Sequence, residues 1–135
     1  KDIKFEYRKS NLPKDLIFLS ASFRGFKGKI RDIKDKTNKL KQKKEKSQPT
    51  KIKTSGSTFK NPILQTKKKV WELIKESVYL NQSFGDAYIS DKHCNFFVNK
   101  GEATFDDMNK LINHVTEKVF KKTGIKLEKE IKILE

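Results

Sequence analysis

The sequence is poor in cysteine, proline and arginine. Its single cysteine, Cys94, excludes an internal disulfide framework. One thiol fits a reducing compartment, so a cytoplasmic setting is expected. The three prolines are Pro13, Pro49 and Pro62, which leaves long stretches free to form regular structure. No apolar run approaches the roughly 18 residues of a helical membrane span, and no signal peptide opens the chain, so no membrane partner is expected. A start at Lys1 rather than Met is expected of a fragment or a processed product. Arginine occurs only as Arg8, Arg24 and Arg31, although the formal net charge is +15.

That charge has two readings. One is a polyanionic partner, such as nucleic acid, a phosphate-bearing ligand or an anionic surface. The other is compositional drift in an A/T-rich genome, which enriches Lys, Asn and Ile together. Scarce arginine weighs against nucleic acid, because bidentate contacts to bases and phosphates use the guanidinium fork. Hydrophobic residues make up 34% of the chain and charged residues 36%, a lean ratio. Ten phenylalanines among periodic Ile, Leu and Val still provide a core and argue against disorder throughout. A length of 135 residues suits one domain, or one domain plus part of another.

Weak alternation over 2–8 predicts a strand, and residues 11–13 (Asn-Leu-Pro) a turn. Better alternation over 15–24 places Ile17, Leu19, Ala21 and Phe23 on one strand face. Residues 30–46 read as a Lys-rich helix with a thin stripe of Ile30, Ile33 and Leu40, ended before Pro49. Residues 47–62 carry no apolar period and read as loop. A helix over 68–78 is expected to bury Val70, Trp71, Leu73 and Ile74. After a loop at 79–86, short strands are expected near 87–90 and 95–98, then a turn at 99–101. The clearest helix runs over 105–122, with Thr104 as cap, Asp106 and Asp107 in its first turn and Gly124 as its stop. Met108, Leu111, Ile112, Val115, Val119 and Phe120 form its apolar stripe. The closing segment alternates, with Ile125, Leu127, Ile131 and Ile133 on one strand face. Helix and strand mix without a strict βαβ repeat, so the fold class is α+β.

Several residues could carry chemistry. In the stretch 55–62 (SGSTFKNP), Gly56 permits close backbone approach, Ser57 presents a hydroxyl, and Lys60 and Asn61 add a cation and an amide. The same residues also suit an ordinary turn. Ser57 has no neighbouring His for a triad, and no Walker loop is present. Glu130 sits on the polar face of the last segment, where it either lines a cleft or is solvated. Arg8 follows Phe5 and Tyr7, a setting that suits carboxylate recognition or a plain surface cation. His93-Cys94 lacks the further ligands of a zinc site, and a buried thiol beside Phe96 and Phe97 is the expectation for Cys94.

Taken in order, the motifs YRKS (7–10), SQP (47–49), GSTFKNP (56–62), WELIKES (71–77), GDAYISDKHCNFFVNKGEAT (85–104) and GIKLEKEIKIL (124–134) resemble the C-terminal part of the UDP-N-acetylenolpyruvoylglucosamine reductases, the MurB family. The resemblance implies two parts. Residues 1–46 would be the tail of a flavin-binding domain and 47–135 a substrate-binding domain. It implies an FAD-dependent reductase that oxidises NADPH and converts UDP-N-acetylglucosamine enolpyruvate to UDP-N-acetylmuramate for peptidoglycan. It implies catalytic roles for Arg8, Ser57 as proton donor and Glu130. Asn61 and Lys60 would lie near the substrate and Tyr7 near the cofactor. The Gly-rich segments that cradle the FAD diphosphate in the family are not found in the sequence, so FAD is expected to be held largely by a part outside it. VYLNQS (78–83) replaces the family's Gly-Leu-Lys-Gly segment, and Lys43-Lys44 its Lys-Arg pair. The competing expectations are a basic, non-enzymatic nucleic-acid-binding domain built on the Lys-rich helix, and an inactive remnant of the reductase.

Overall fold

Helical spacing in the second half of the chain builds two helices on one face of a small sheet. The computed structural model describes residues 3–13 and 15–134. Among these the elements are β1 (Phe5–Glu6), β2 (Lys9–Ser10), α1 (Ile30–Ser47), β3 (Lys53–Ser57), α2 (Val70–Ser77), β4 (Ser83–Phe84), β5 (Ala87–Ile89), β6 (Phe96–Asn99) and α3 (Phe105–Thr123). The mixture is α+β. Strands β3, β6, β5 and β4 form an antiparallel sheet in that spatial order, and β1 and β2 form a separate hairpin.

The core lies between this sheet and α2 and α3. Leu73, Ile74, Ile89, Phe97, Leu111, Val115 and Val119 are fully buried there together with Phe59. Period 2 along β6 aims Phe97 at the helices. Phe96 and Val98 are also buried but lie outside that cluster. The start of α3 is fixed as its sequence predicts. Thr104 Oγ1 accepts the Asp107 N–H at 3.1 Å and Asp107 Oδ2 accepts the Thr104 N–H at 2.9 Å, a reciprocal box. Gly124, at φ 71, ends the helix as its N–H bonds Phe120 O. Gly85, at φ 50, has no room for a side chain, because a Cβ there would meet Asp107 Oδ2 at 2.8 Å.

Several expectations are corrected. The strand expected over 2–8, whose first residue lies outside the described ones, instead folds back at Tyr7-Arg8. Arg8 takes φ 58 there, a left-handed conformation no glycine or asparagine announces. Residues 16–29 form no strand. Alternation needs a partner edge, and here Leu19 and Phe23 stay 91% exposed. The stripe on α1 is likewise unpaired, since no residue of that helix is buried. The expected loop over 47–62 contains β3, an exposed edge strand of Ser, Thr, Gly and Lys that carries no apolar period. Trp71 and Phe120, expected inside, are 40% and 46% exposed. The closing segment is extended but makes only an isolated bridge, Phe59 with Lys129, rather than a strand.

The fold therefore has a packed half and an unpacked half, and substitutions separate them. Leu73→Ala should cost about 2–5 kcal/mol in urea denaturation. Leu40→Ala on α1 should shift stability by less than about 0.5 kcal/mol. Equal costs would contradict this division.

Candidate functional site

The site grows from Phe59, the buried residue of the stretch 55–62. Its ring meets Phe97 edge to face, with centroids 5.9 Å apart. Burying that ring also buries its backbone, which then needs partners. Asn95, only 4% exposed, supplies both: its Oδ1 accepts the Phe59 N–H at 3.0 Å and its Nδ2 donates to Phe59 O at 2.9 Å. Asn95 O also accepts the Thr58 N–H at 2.8 Å. Asn95 was missed in the sequence, although a polar residue flanked by Cys94 and Phe96-Phe97 signals a buried amide with a task.

On one side of this clamp lies Ser57. It ends β3, past a register shift between Thr54 and Ser57, and Gly56 takes φ 90 within that irregularity. The space a Cβ of Gly56 would fill is open, so the backbone beside Ser57 is approachable. The Ser57 hydroxyl makes no hydrogen bond with the described residues, and the side chain is partly buried.

The closing segment runs along the other edge. Glu130 N–H donates to Thr58 O at 2.8 Å and Lys60 N–H to Glu128 O at 2.9 Å. The first bond sets the backbone of Glu130 beside the residue that follows Ser57. From there Glu130 Oε1 reaches Arg8 Nη2 at 2.5 Å. The carboxylate is 23% exposed and the guanidinium 52% exposed, so the pair sits at a rim and its net stabilisation is modest. The Arg8 guanidinium also lies 5.4 Å from the centre of the Tyr7 ring.

Asn61 fastens the hairpin to this framework. Its backbone N–H and its Nδ2 donate to Tyr7 Oη at 3.0 and 3.2 Å, and its Oδ1 accepts the Val70 N–H at 3.0 Å. Val70 opens α2, so this is one of the helix's free N-terminal donors. Lys60 pairs with Glu128. A cleft of about 380 Å³ opens here, with Tyr7, Arg8, Lys9, Lys60, Asn61 and Lys126 in its lining. Four cations, the last two being Lys60 and Lys126, face Glu6 and Glu128 there. Neither Ser57 nor Glu130 belongs to that lining.

The structure thus joins Arg8 to Glu130 and Tyr7 to Asn61, with Ser57 one residue from the Thr58–Glu130 bond. Most of Asn61's polar capacity is spent within the protein. Cys94 is buried and its Sγ lies 3.0 Å from Trp71 O, and burial pushes its pKa up. His93 packs on Phe96, and burial pushes its pKa down. Among the described residues no group of three His, Cys, Asp or Glu side chains could hold a metal, and no helix is long and apolar enough to cross a membrane.

A family model described as the C-terminal domain of UDP-N-acetylenolpyruvoylglucosamine reductase matches residues 48–134. A UDP-N-acetylenolpyruvoylglucosamine reductase of Pelagibacter ubique (strain HTCC1062) is 66% identical over 130 residues, covering 96% of this chain and 43% of the relative. The enzyme of the same description from Rickettsia typhi is 46% identical over 132 residues, covering 98% and 44%. The crystal structure of the MurB reductase from Thermus caldophilus is similar at a TM-score of 0.67 and 31% identity, covering 96% of this chain and 45% of that one. The chain therefore spans less than half the length of these relatives.

Asn95 tests the construction of the site. Asn95→Ala leaves both backbone groups of Phe59 buried without partners and should cost about 2–4 kcal/mol in urea denaturation. A loss below about 0.5 kcal/mol would mean the clamp is dispensable.

Proposed function

Since the chain belongs to the UDP-N-acetylenolpyruvoylglucosamine reductase family, whose C-terminal domain it carries, we propose that it is the substrate-handling part of a reductase that makes UDP-N-acetylmuramate for peptidoglycan in the cytoplasm. Residues 1–46 are assigned to the tail of a flavin-binding domain and 47–135 to the substrate domain. The supporting observation is the meeting of Arg8 and Glu130 beside the Gly56-Ser57 irregularity.

The residues present do not by themselves fit FAD. Gly56 is a lone positive-φ glycine in an edge strand, not one of a glycine-rich series that could cradle a diphosphate. FAD, reduced by NADPH, is therefore assigned to the longer part that the relatives possess. When bound, a flavin supplies hydride chemistry.

The chain's own residues account for the remainder. Reduction of an enolpyruvyl ether pushes negative charge toward its carboxylate. The Arg8 guanidinium stabilises that charge as it develops. Glu130 pairs with the guanidinium, so its direction is set before substrate arrives. The Ser57 O–H, with no acceptor among the described residues, donates the proton to the adjacent carbon and regains one from solvent. A positive surround favours that donation, because the alkoxide left behind is an anion. The excess of cations in the cleft suits the diphosphate of a nucleotide sugar, with Lys60 and Asn61 at its edge.

In an enzyme that joins this chain to a flavin-binding portion, Ser57→Ala should leave flavin reduction by NADPH intact. Reoxidation by the enolpyruvyl substrate should slow by roughly 10²–10⁴-fold. Stopped-flow absorbance separates the two half-reactions, and equal loss of both would contradict a proton-donor role.

A further inference from the structure

We propose that Tyr7 is an oriented hydrogen-bond donor to an oxyanion of the ligand held in the cleft, and that Asn61 sets its orientation. The oxygen and nitrogen of the Asn61 carboxamide are told apart by their partners. The Val70 N–H can only donate, so the atom 3.0 Å from it is Oδ1. The amide nitrogen therefore faces Tyr7, where Nδ2 and the backbone N–H both donate to Oη at 3.2 and 3.0 Å. Two donors fill the acceptor capacity of a phenol oxygen. Tyr7 can then act in only one further way, by donating its own O–H. No acceptor among the described residues takes that proton.

Tyr7 is 37% exposed and lines the cleft with Arg8, Lys9, Lys60 and Lys126. Of the two carboxylates there, Glu128 is already paired with Lys60. An acceptor entering beside these cations is most stable as an anion, and a hydrogen bond from Tyr7 to an oxyanion is charge-assisted. Phosphate and carboxylate oxygens share this chemistry. The Arg8 guanidinium lies over the Tyr7 ring, 5.4 Å from its centre, and the two Asn61 donors fix the phenol oxygen, so the donor is oriented before a ligand arrives. Naming the ligand rests on the nucleotide-sugar reading above, whereas the donor geometry does not.

The test labels tyrosine at Cζ with carbon-13 in the full chain. Its tyrosines are Tyr7, Tyr79 and Tyr88, and Tyr7→Phe identifies the signal. Saturation with UDP-N-acetylglucosamine or inorganic pyrophosphate should move the Tyr7 signal downfield and leave that of Tyr79 in place. Lactate in a parallel titration reports a carboxylate source. Tyr7→Phe should weaken nucleotide-sugar binding roughly 10–100-fold by calorimetry. Asn61→Asp keeps an acceptor for Val70 but puts a second acceptor before the phenol. Its Tyr7 signal should already lie downfield without ligand and should no longer respond to one, which a merely structural role would not produce. A stationary Tyr7 signal with all three probes, or wild-type affinity in Tyr7→Phe, overturns the proposal. If pyrophosphate moves the signal while the nucleotide sugar does not bind, the donor assignment stands and the functional reading fails.

Discussion

The grip of the Asn95 carboxamide on the backbone of Phe59 is the constraint on which the rest depends. A buried aromatic ring gains from leaving water, yet it takes an N–H and a C=O with it. One side chain satisfies both at 3.0 and 2.9 Å, in a setting where either group left alone would be costly. With Phe59 fixed, its neighbours are fixed too. Ser57 and Thr58 leave the clamp toward the sheet, and Lys60 and Asn61 leave it toward the cleft. The closing segment then follows this fixed edge, because Thr58 O and the Lys60 N–H are the partners it needs. The position of Glu130, and through it of Arg8, follows from the Asn95 side chain, which sits in the turn just before β6 and has no chemistry of its own.

The hairpin bearing Arg8 is attached differently. It is held to the rest of the site by Tyr7 and Asn61 and by the Arg8–Glu130 pair, all at partly exposed positions. Arg8 meanwhile pays for a left-handed backbone, which is the kind of local strain that collects at functional sites. Beyond the hairpin, residues 16–29 and the stripe on α1 expose Leu, Ile and Phe in number. Those exposed faces lie in the first third of the chain, and the relatives are more than twice as long as the matched region.

Legibility in the sequence followed local physics. The helix over 105–122, its Thr104 cap and its Gly124 stop were readable because periodicity, capping and glycine all act within a few residues. Val70, Leu73 and Ile74 were readable for the same reason. Edge strand β3 was not, since Lys, Thr, Ser and Gly pair by backbone alone and leave no apolar trace. The alternation at 15–24 misled because it records a face without recording whether a partner edge is present. At the site, the residues 7–8, 56–62 and 130 were marked by an ordered set of motifs, but the contacts among them were not. The ion pair spans nearly the whole chain, and no spacing rule reports it. Asn61 was expected beside a ligand and does line the cleft, but the engagement of its amide with Tyr7 and Val70 was not readable. The role of Asn95 lay hidden because a buried amide looks like any other Asn until its neighbours are known to be core.

Amide hydrogen exchange at Phe59 tests the central claim most directly. If the Asn95 carboxamide locks this backbone into the core, the Phe59 N–H opens only with the whole domain, and its protection equals that of Leu111 and Val115 in α3. Exchange at Phe59 as fast as at the exposed residues 63–65 would show that the clamp does not hold, and that the site has no fixed edge on which to assemble.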